Sequence, residues 1–255
     1  MRNHPASPGR SSEMAQAVIL AAGQGQRLRA GKACSELKPL TMLLGMTLLE
    51  RCVRSCEAIG VSECYVVGGY EHAQLLPHIA ELNTRYDMHV QAVENPAWAE
   101  GNGVSALAAE PYVKQAFFLL MCDHIFDSAI LQQLIAASRH TDACLLAVDQ
   151  RIDQVFDCED ATKVHLQGQR ITAIGKELTR YDGVDTGLFL CRPVLFKALA
   201  RARAQGDGSL SGGIRQLIAT DMMQAVPIGE HFWLDIDTPE SLAHAERSLR
   251  QAVRW

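Results

Sequence analysis

The stretch that most constrains this chain is the run AVILAA at 17–22, which meets Gly23-Gln24-Gly25 directly and is followed by Arg27 and, after a polar interval, Lys38-Pro39. An unbroken apolar run closed by glycine, too short to cross a bilayer, reads as a central parallel strand covered on both faces. The glycine turn then lies at the strand's carboxyl end. Open α/β sheets bind ligands at that edge, and glycines let backbone N–H groups approach a phosphate. Arg27 and Lys38 add positive charge there. A dinucleotide fingerprint is excluded because Leu28 stands where the third glycine belongs, and the GxxxxGK[ST] phosphate loop does not occur.

With 255 residues, 48% of them hydrophobic, the chain can bury a full core as one large α/β domain, expected over 15–255 behind a disordered tail at 1–14. That tail, MRNHPASPGRSSEM, is polar, holds two prolines and lacks the apolar core of a signal peptide. Twenty-four basic against 29 acidic residues give a net charge of −5 with no basic stripe, which argues against nucleic acid or an anionic membrane surface as partner. No apolar run approaches the roughly 20 residues of a spanning helix, so no membrane insertion is expected and the chain reads as cytoplasmic. The eight cysteines include no CxxC pair, and Cys122, Cys144 and Cys191 fall inside apolar runs, as reduced thiols acting as small hydrophobes do. The nine histidines show no zinc-ligand spacing.

Helical periodicity over 45–60 ends at Gly60; a strand follows at 63–68, a helix at 71–85 that Pro77 is expected to kink or stop, and a short strand at 88–93. This β-loop-α-β-α-β order predicts a Rossmann-like, mostly parallel sheet flanked by helices. WAEGNGVS at 98–105 opens a helix to about Ala109, and its glycines around Asn102 suit either close approach to a base or ribose, or a plain N-cap. AFFLLMC at 116–122 is the most apolar strand and ends at Asp123-His124. A carboxylate there can hold a hard cation such as Mg²⁺ or cap the helix expected at 127–139; His124 reads as structural rather than as a ligand.

A strand at 143–149 precedes a change of texture. A polar loop at 151–159 and shorter strands at 161–166, 170–174 and 184–191 predict a small β-rich subregion beside the main sheet, without a linker that would make it independent. Then come a helix at 193–204, a glycine and serine loop at 206–213, a helix to about Thr220 and a strand at 222–227. Thr238, Pro239 and Glu240 mark the start of the last helix, with Asp235 and Asp237 on the extended segment ahead of it. The terminal Arg254-Trp255 is the sole hint of a homo-oligomer contact.

A phosphate-cradling loop, two nearby cations, one aspartate ending a central strand and a second far along the chain describe phosphoryl-type transfer by positioning and charge neutralisation. No protein nucleophile is needed, and no GxSxG elbow is present. LAAGQGQRL with Lys38-Pro39 downstream, a strand ending in Asp, a mid-chain Gly-Lys, a DTG turn and WLDIDTPE resemble the sugar-phosphate nucleotidyltransferases. More narrowly, Glu94-Asn95-Pro96 with GNG, Cys122-Asp123-His124, EDATKV at 159–164, Gly175-Lys176, Val184-Asp185-Thr186-Gly187 and WLDIDTP at 233–239 resemble the CTP:inositol-1-phosphate cytidylyltransferases, over about residues 15–250.

The resemblance implies the nucleotidyltransferase fold with an acceptor-side subregion, and Mg²⁺-dependent attack by the phosphate of a polyol, inositol 1-phosphate, on the α-phosphorus of CTP. CDP-inositol and pyrophosphate would result. By position, Ala21, Ala22, Gly23, Gly25 and Arg27 would hold the triphosphate, and Lys38 would neutralise the reacting phosphates. Glu94, Gly101, Asn102, Gly103 and Ser105 would lie near base and ribose. Asp123 and Asp235 would hold Mg²⁺; Lys176 would bind the acceptor's phosphate; Asp185, Thr186 and Gly187 would face its hydroxyls, with Lys163, Tyr181 and Asp182 nearby. Two positions depart from the family pattern: Gln26 replaces a small hydroxyl residue, and Leu37 a proline. Relatives often carry a second, membrane-embedded phosphotransferase domain, which this chain is expected to lack. That leaves open phosphocholine or an aminoalkylphosphonate as acceptor. Separately, the residues around Asn102 do not reveal base edges, so another NTP as donor stays open, as does, in a different class, a non-catalytic nucleotide-binding module. A quaternary ammonium would call for an aromatic cage, for which Trp98, Trp233 and Tyr181 are the obvious members.

Overall fold

The computed structural model describes residues 16–30 and 37–252; the tail at 1–14, Cys34 and the Arg254-Trp255 end lie outside the described residues. The apolar run forms strand β1 (Gln16–Ala21), buried throughout. A short helix α1 (Gln26–Ala30), the hairpin β2 (Met42–Leu43) and β3 (Met46–Thr47), then α2 (Leu48–Ala58), β4 (Glu63–Gly68), α3 (Leu75–Arg85), β5 (His89–Glu94) and α4 (Asn102–Leu107) follow. Next are β6 (Phe117–Met121), β7 (His124–Phe126), α5 (Ala129–Ser138), β8 (Cys144–Asp149), β9 (Lys163–Gln167), β10 (Arg170–Gly175) and β11 (Gly183–Cys191). The chain closes with α6 (Val194–Ala204), α7 (Leu210–Ile218), β12 (Met223–Pro227), β13 (Trp233–Asp235) and α8 (Pro239–Ala252).

Nine strands make one sheet in the order β5-β4-β1-β6-β11-β8-β12-β10-β9. β5, β4, β1 and β6 are parallel neighbours, as the alternation predicts. Ala17, Ile19 and Ala21 of β1 enter one core, with α2, α3 and α5; Val18 and Leu20 enter the other, with α4, α6 and α7. Burial on both faces is what an apolar run without alternation requires.

Three expectations are corrected. β11, read as part of the side subregion, runs antiparallel between β6 and β8 in the middle of the sheet, and its continuous LFLC end is buried on both faces. Only β9 and β10 extend the sheet at that edge. Pro77 does not break α3: it lies in the first turn, where no intrahelical N–H bond is required, behind a 3-10 turn at His72–Gln74. The loop expected at 206–213 stops at Ser209, whose hydroxyl accepts from Gly212 N at 3.0 Å and starts α7 with Gly212 and Gly213 inside it.

β7 had no counterpart in the sequence reading. It pairs antiparallel with β13, placing Asp235 opposite His124. Ile125 and Leu234 point into a third core with Leu43, Leu48, Ile236 and Ala245, so the alternate residues of the two short strands share the opposite face. Among the described residues no helix is long and apolar enough to cross a membrane. The seven described cysteines are free, all but Cys158 buried.

Candidate active site

Asp123 sits in the turn between β6 and β7, and Ile236 N donates to its carbonyl at 2.9 Å. Since the residues after it are extended, it caps no helix. One ligand atom each from Asp123, His124 and Asp235 lie within 4.8 Å of one another. The Nδ1–H of His124 donates to the Thr186 carbonyl at 2.6 Å, which leaves Nε2 facing the carboxylates, 3.9 Å from Asp123 and 3.7 Å from Asp235. Oδ1 of Asp235 is buried with no hydrogen-bond partner. Burial, with Asp123 alongside, pushes the Asp235 carboxyl up to about 7. A buried, unpaired carboxylate oxygen is costly, and a cation relieves it. Two hard oxygen donors fit Mg²⁺, which commonly takes one or two carboxylates and otherwise keeps waters; the imidazole is the softer member of the set.

Lys38 begins a 3-10 turn, Lys38–Leu40, and its buried ammonium pairs with Asp123 and Asp237. Burial works against that charge, but Asp123, Asp235 and Asp237 outweigh it and hold the ammonium above the ordinary lysine value. Gly25 has φ 64°, and a Cβ on it would lie 2.6 Å from Lys38 Cβ, so only glycine lets the lysine stem pass. Arg27 reaches Asp160 at 2.6 Å and also pairs with Asp237. Asp160 takes Lys176 as well, at 2.7 Å. Asp237 therefore belongs with the cations, while Asp235 belongs with Asp123. The pairs made by Arg27 and Lys176 are largely solvent-facing and weakly held, so a phosphate can displace Asp160 from them.

Around this centre the predicted residues divide. Ala21 and Ala22 are buried beneath the turn, Gly23 is exposed on it, and Glu94 is exposed at the end of β5. Asn102 lines the cavity beside the carboxylates, its amide oxygen accepting from Leu210 N at 2.8 Å. A Cβ on Gly101 or Gly103 would lie 2.6 Å from the backbone oxygen of Gly208 or Ser209, so these glycines admit the neighbouring loop. Ser105 is buried and takes the Asn95 amide at 3.0 Å, supporting the turn from behind. Lys163 is tied to the carbonyls of Glu159, Ala161 and Lys176, and Thr186 is fully buried with its hydroxyl on Ala147 O at 2.8 Å; neither residue lines the cavity beside the carboxylates. Tyr181 stands beside Lys163, and Asp182 is occupied by His165 and the Leu166 N–H.

A cavity of about 540 Å³ adjoins the carboxylates, lined among others by Lys176, Asp185, Arg151, Phe156, Trp233 and His244. Asp185 accepts from Gly187 N at 2.7 Å, and burial pushes its carboxyl up to about 6. Trp98 packs edge-on against Tyr70 and is not in this lining. Arg151, Asp149 and Asp160 had no role in the sequence reading. Asp149 carried the signal that singled out Asp123, a carboxylate ending a buried strand.

The sequence matches the MobA-like NTP transferase domain family over residues 17–225. The bifunctional IPC transferase and DIPP synthase of Rubrobacter xylanophilus is 37% identical over 247 residues, covering 91% of this chain and 51% of that protein. Its namesake in Thermococcus kodakarensis is 30% identical over 247 residues, covering 94% and 52%. This chain thus spans about half the length of these curated relatives. The solved inositol-1-phosphate CTP transferase from T. maritima matches with a TM-score of 0.82 at 26% identity, covering 94% of this chain and 97% of that one.

Proposed function

This chain belongs to the family of MobA-like NTP transferase domains and is a nucleotidyltransferase; from that premise we propose that it transfers CMP from CTP to inositol 1-phosphate. The observation that carries the reading is the convergence at one sheet edge of Lys38, Arg27, Asp123 and Asp235, with Lys176 reaching the same point through Asp160. The names of the relatives support the base and the acceptor.

In this reading an oxygen of the acceptor's phosphate attacks the α-phosphorus of CTP. A new P–O bond forms, the bond between the α-phosphorus and the bridging oxygen breaks, and pyrophosphate leaves with the electron pair. The 23–25 turn and Arg27 hold the triphosphate, and Lys38 faces the reacting phosphates. Lys176 orients the acceptor phosphate once it exchanges Asp160 for substrate oxygens. Asp185 accepts hydroxyls of the polyol. A divalent cation, Mg²⁺ by its donor set, would be held by Asp123 and Asp235 and supply neutralisation of the charge building on the phosphate oxygens.

The test is to incubate the protein with CTP, Mg²⁺ and either inositol 1-phosphate, phosphocholine or an aminoalkylphosphonate, following pyrophosphate and the mass of the CDP product. Release with inositol 1-phosphate alone is expected. Preference for another acceptor reassigns the cavity, competition by UTP, GTP or dTTP reassigns the base, and silence with every pair leaves a binding module.

A further inference from the structure

The mechanism above leaves unused the most heavily bonded buried carboxylate at the ligand edge. Asp149 ends β8 and is 3% exposed. Its Oδ1 accepts from Arg151 N at 2.9 Å and Arg151 Nε at 3.0 Å; its Oδ2 accepts from Arg151 Nη2 at 2.9 Å and Trp233 Nε1 at 2.8 Å. Burial opposes its charge, but these donors outweigh burial and keep the carboxyl below the ordinary value. With about four lone-pair sites taken, Asp149 has nothing left for a substrate and acts through the groups it holds.

Those groups lie on, or bond to, the segment that delivers Asp235. Trp233 is two residues ahead of it, and the Arg151 Nη2 that reaches Asp149 also donates to His231 O at 2.8 Å. β13 is only three residues long and pairs with a strand of equal length, too little ladder to hold its own position. Asp127 tethers one side, its N–H donating to Phe232 O at 3.0 Å and its carboxylate accepting from Phe232 N at 2.9 Å. Asp149 tethers the other to the end of a fully buried strand. The Trp233 ring also packs on His124, centroids 5.9 Å apart, so both partners of Asp123 feel this anchor.

We propose that Asp149 is a positioning residue: through Trp233 and Arg151 it fixes the 231–235 segment to β8 and thereby sets the spacing of the Asp123 and Asp235 carboxylates that take the divalent cation. This rests on the metal assignment of the proposed function. Partners of this outer kind typically govern metal affinity or activity by about 10- to 100-fold.

The test uses Asp149→Asn, which keeps shape and loses charge, and Trp233→Phe, which keeps an aromatic ring beside His124 and removes the N–H together with one ring of the indole. Mn²⁺ binding to nucleotide-free protein is read by electron paramagnetic resonance beside the Mg²⁺ dependence of turnover, with Asp235→Asn as reference. Mn²⁺ affinity is expected to fall about ten-fold in both variants. Half-maximal turnover should need correspondingly more Mg²⁺, with kcat recovering at saturation. A network that merely stabilises the fold would lower Tm yet leave the Mn²⁺ affinity of the folded protein unchanged, which would overturn the proposal. If Asp149→Asn does not fold, Trp233→Phe carries the same decision. Wild-type protein that binds no Mn²⁺, or Asp235→Asn that binds it undiminished, overturns the metal assignment itself and the proposal with it.

Discussion

Lys38 joins the glycine turn to the carboxylates, with its stem passing Gly25 and its ammonium between Asp123 and Asp237. Lys38→Met removes that charge from a preorganised site and is expected to lower kcat/KM by about 10²- to 10³-fold, measured by pyrophosphate release; a loss below ten-fold would make the lysine structural. Asp185 offers a pH test. Burial raises its folded carboxyl to about 6 from an ordinary 3.8. Because the folded value is the higher one, the stability tied to the neutral carboxyl is fully present below about pH 4 and is lost as pH rises through about 6. Denaturant melts across that window should show wild type losing stability relative to Asp185→Asn, whose amide does not titrate, and parallel curves would contradict this.

Among the elements, α4 and α7 show how a glycine motif can mark packing as well as a ligand. Gly101 adopts φ 131° and lies against Gly208 O. Gly101→Ala is therefore expected to destabilise the fold by more than about 1 kcal/mol, and Ser209→Ala, which removes the α7 cap, by about 1 kcal/mol; thermal melts measure both. The sequence made helix starts and apolar strands legible because their determinants are contiguous: the run at 17–22, Thr238 before Pro239, the Gly60 stop. It left β7 hidden, since a three-residue strand with one buried side chain, Ile125, exists only because a partner more than a hundred residues away pairs with it.

At the scale of the whole molecule, one sheet carries both halves of the site. Arg27 from α1 and Lys176 from the turn after β10 meet on Asp160, so both cations share one carboxylate. Among the described cysteines all but Cys158 are buried. Buried thiols are inert, so a thiol reagent on native protein, followed by peptide mapping, should label Cys158 first among the described cysteines and the others only on unfolding; rapid loss of Cys122 would contradict the packing.

The sequence alone determined the strand, the glycine turn and the kinds of charge at its edge, because an apolar run, a φ-permissive residue and a strand-ending carboxylate act through neighbours in the chain. Only the tertiary structure decided which charges meet. The β7–β13 register sets Asp235 beside Asp123, Asp160 draws Lys176 and Arg27 to one carboxylate, burial turns Ser105 and Thr186 inward, and backbone carbonyls hold Lys163. The reason is physical: side-chain chemistry is carried residue by residue, whereas the distance between two side chains is set by strand pairing and core packing across the whole chain.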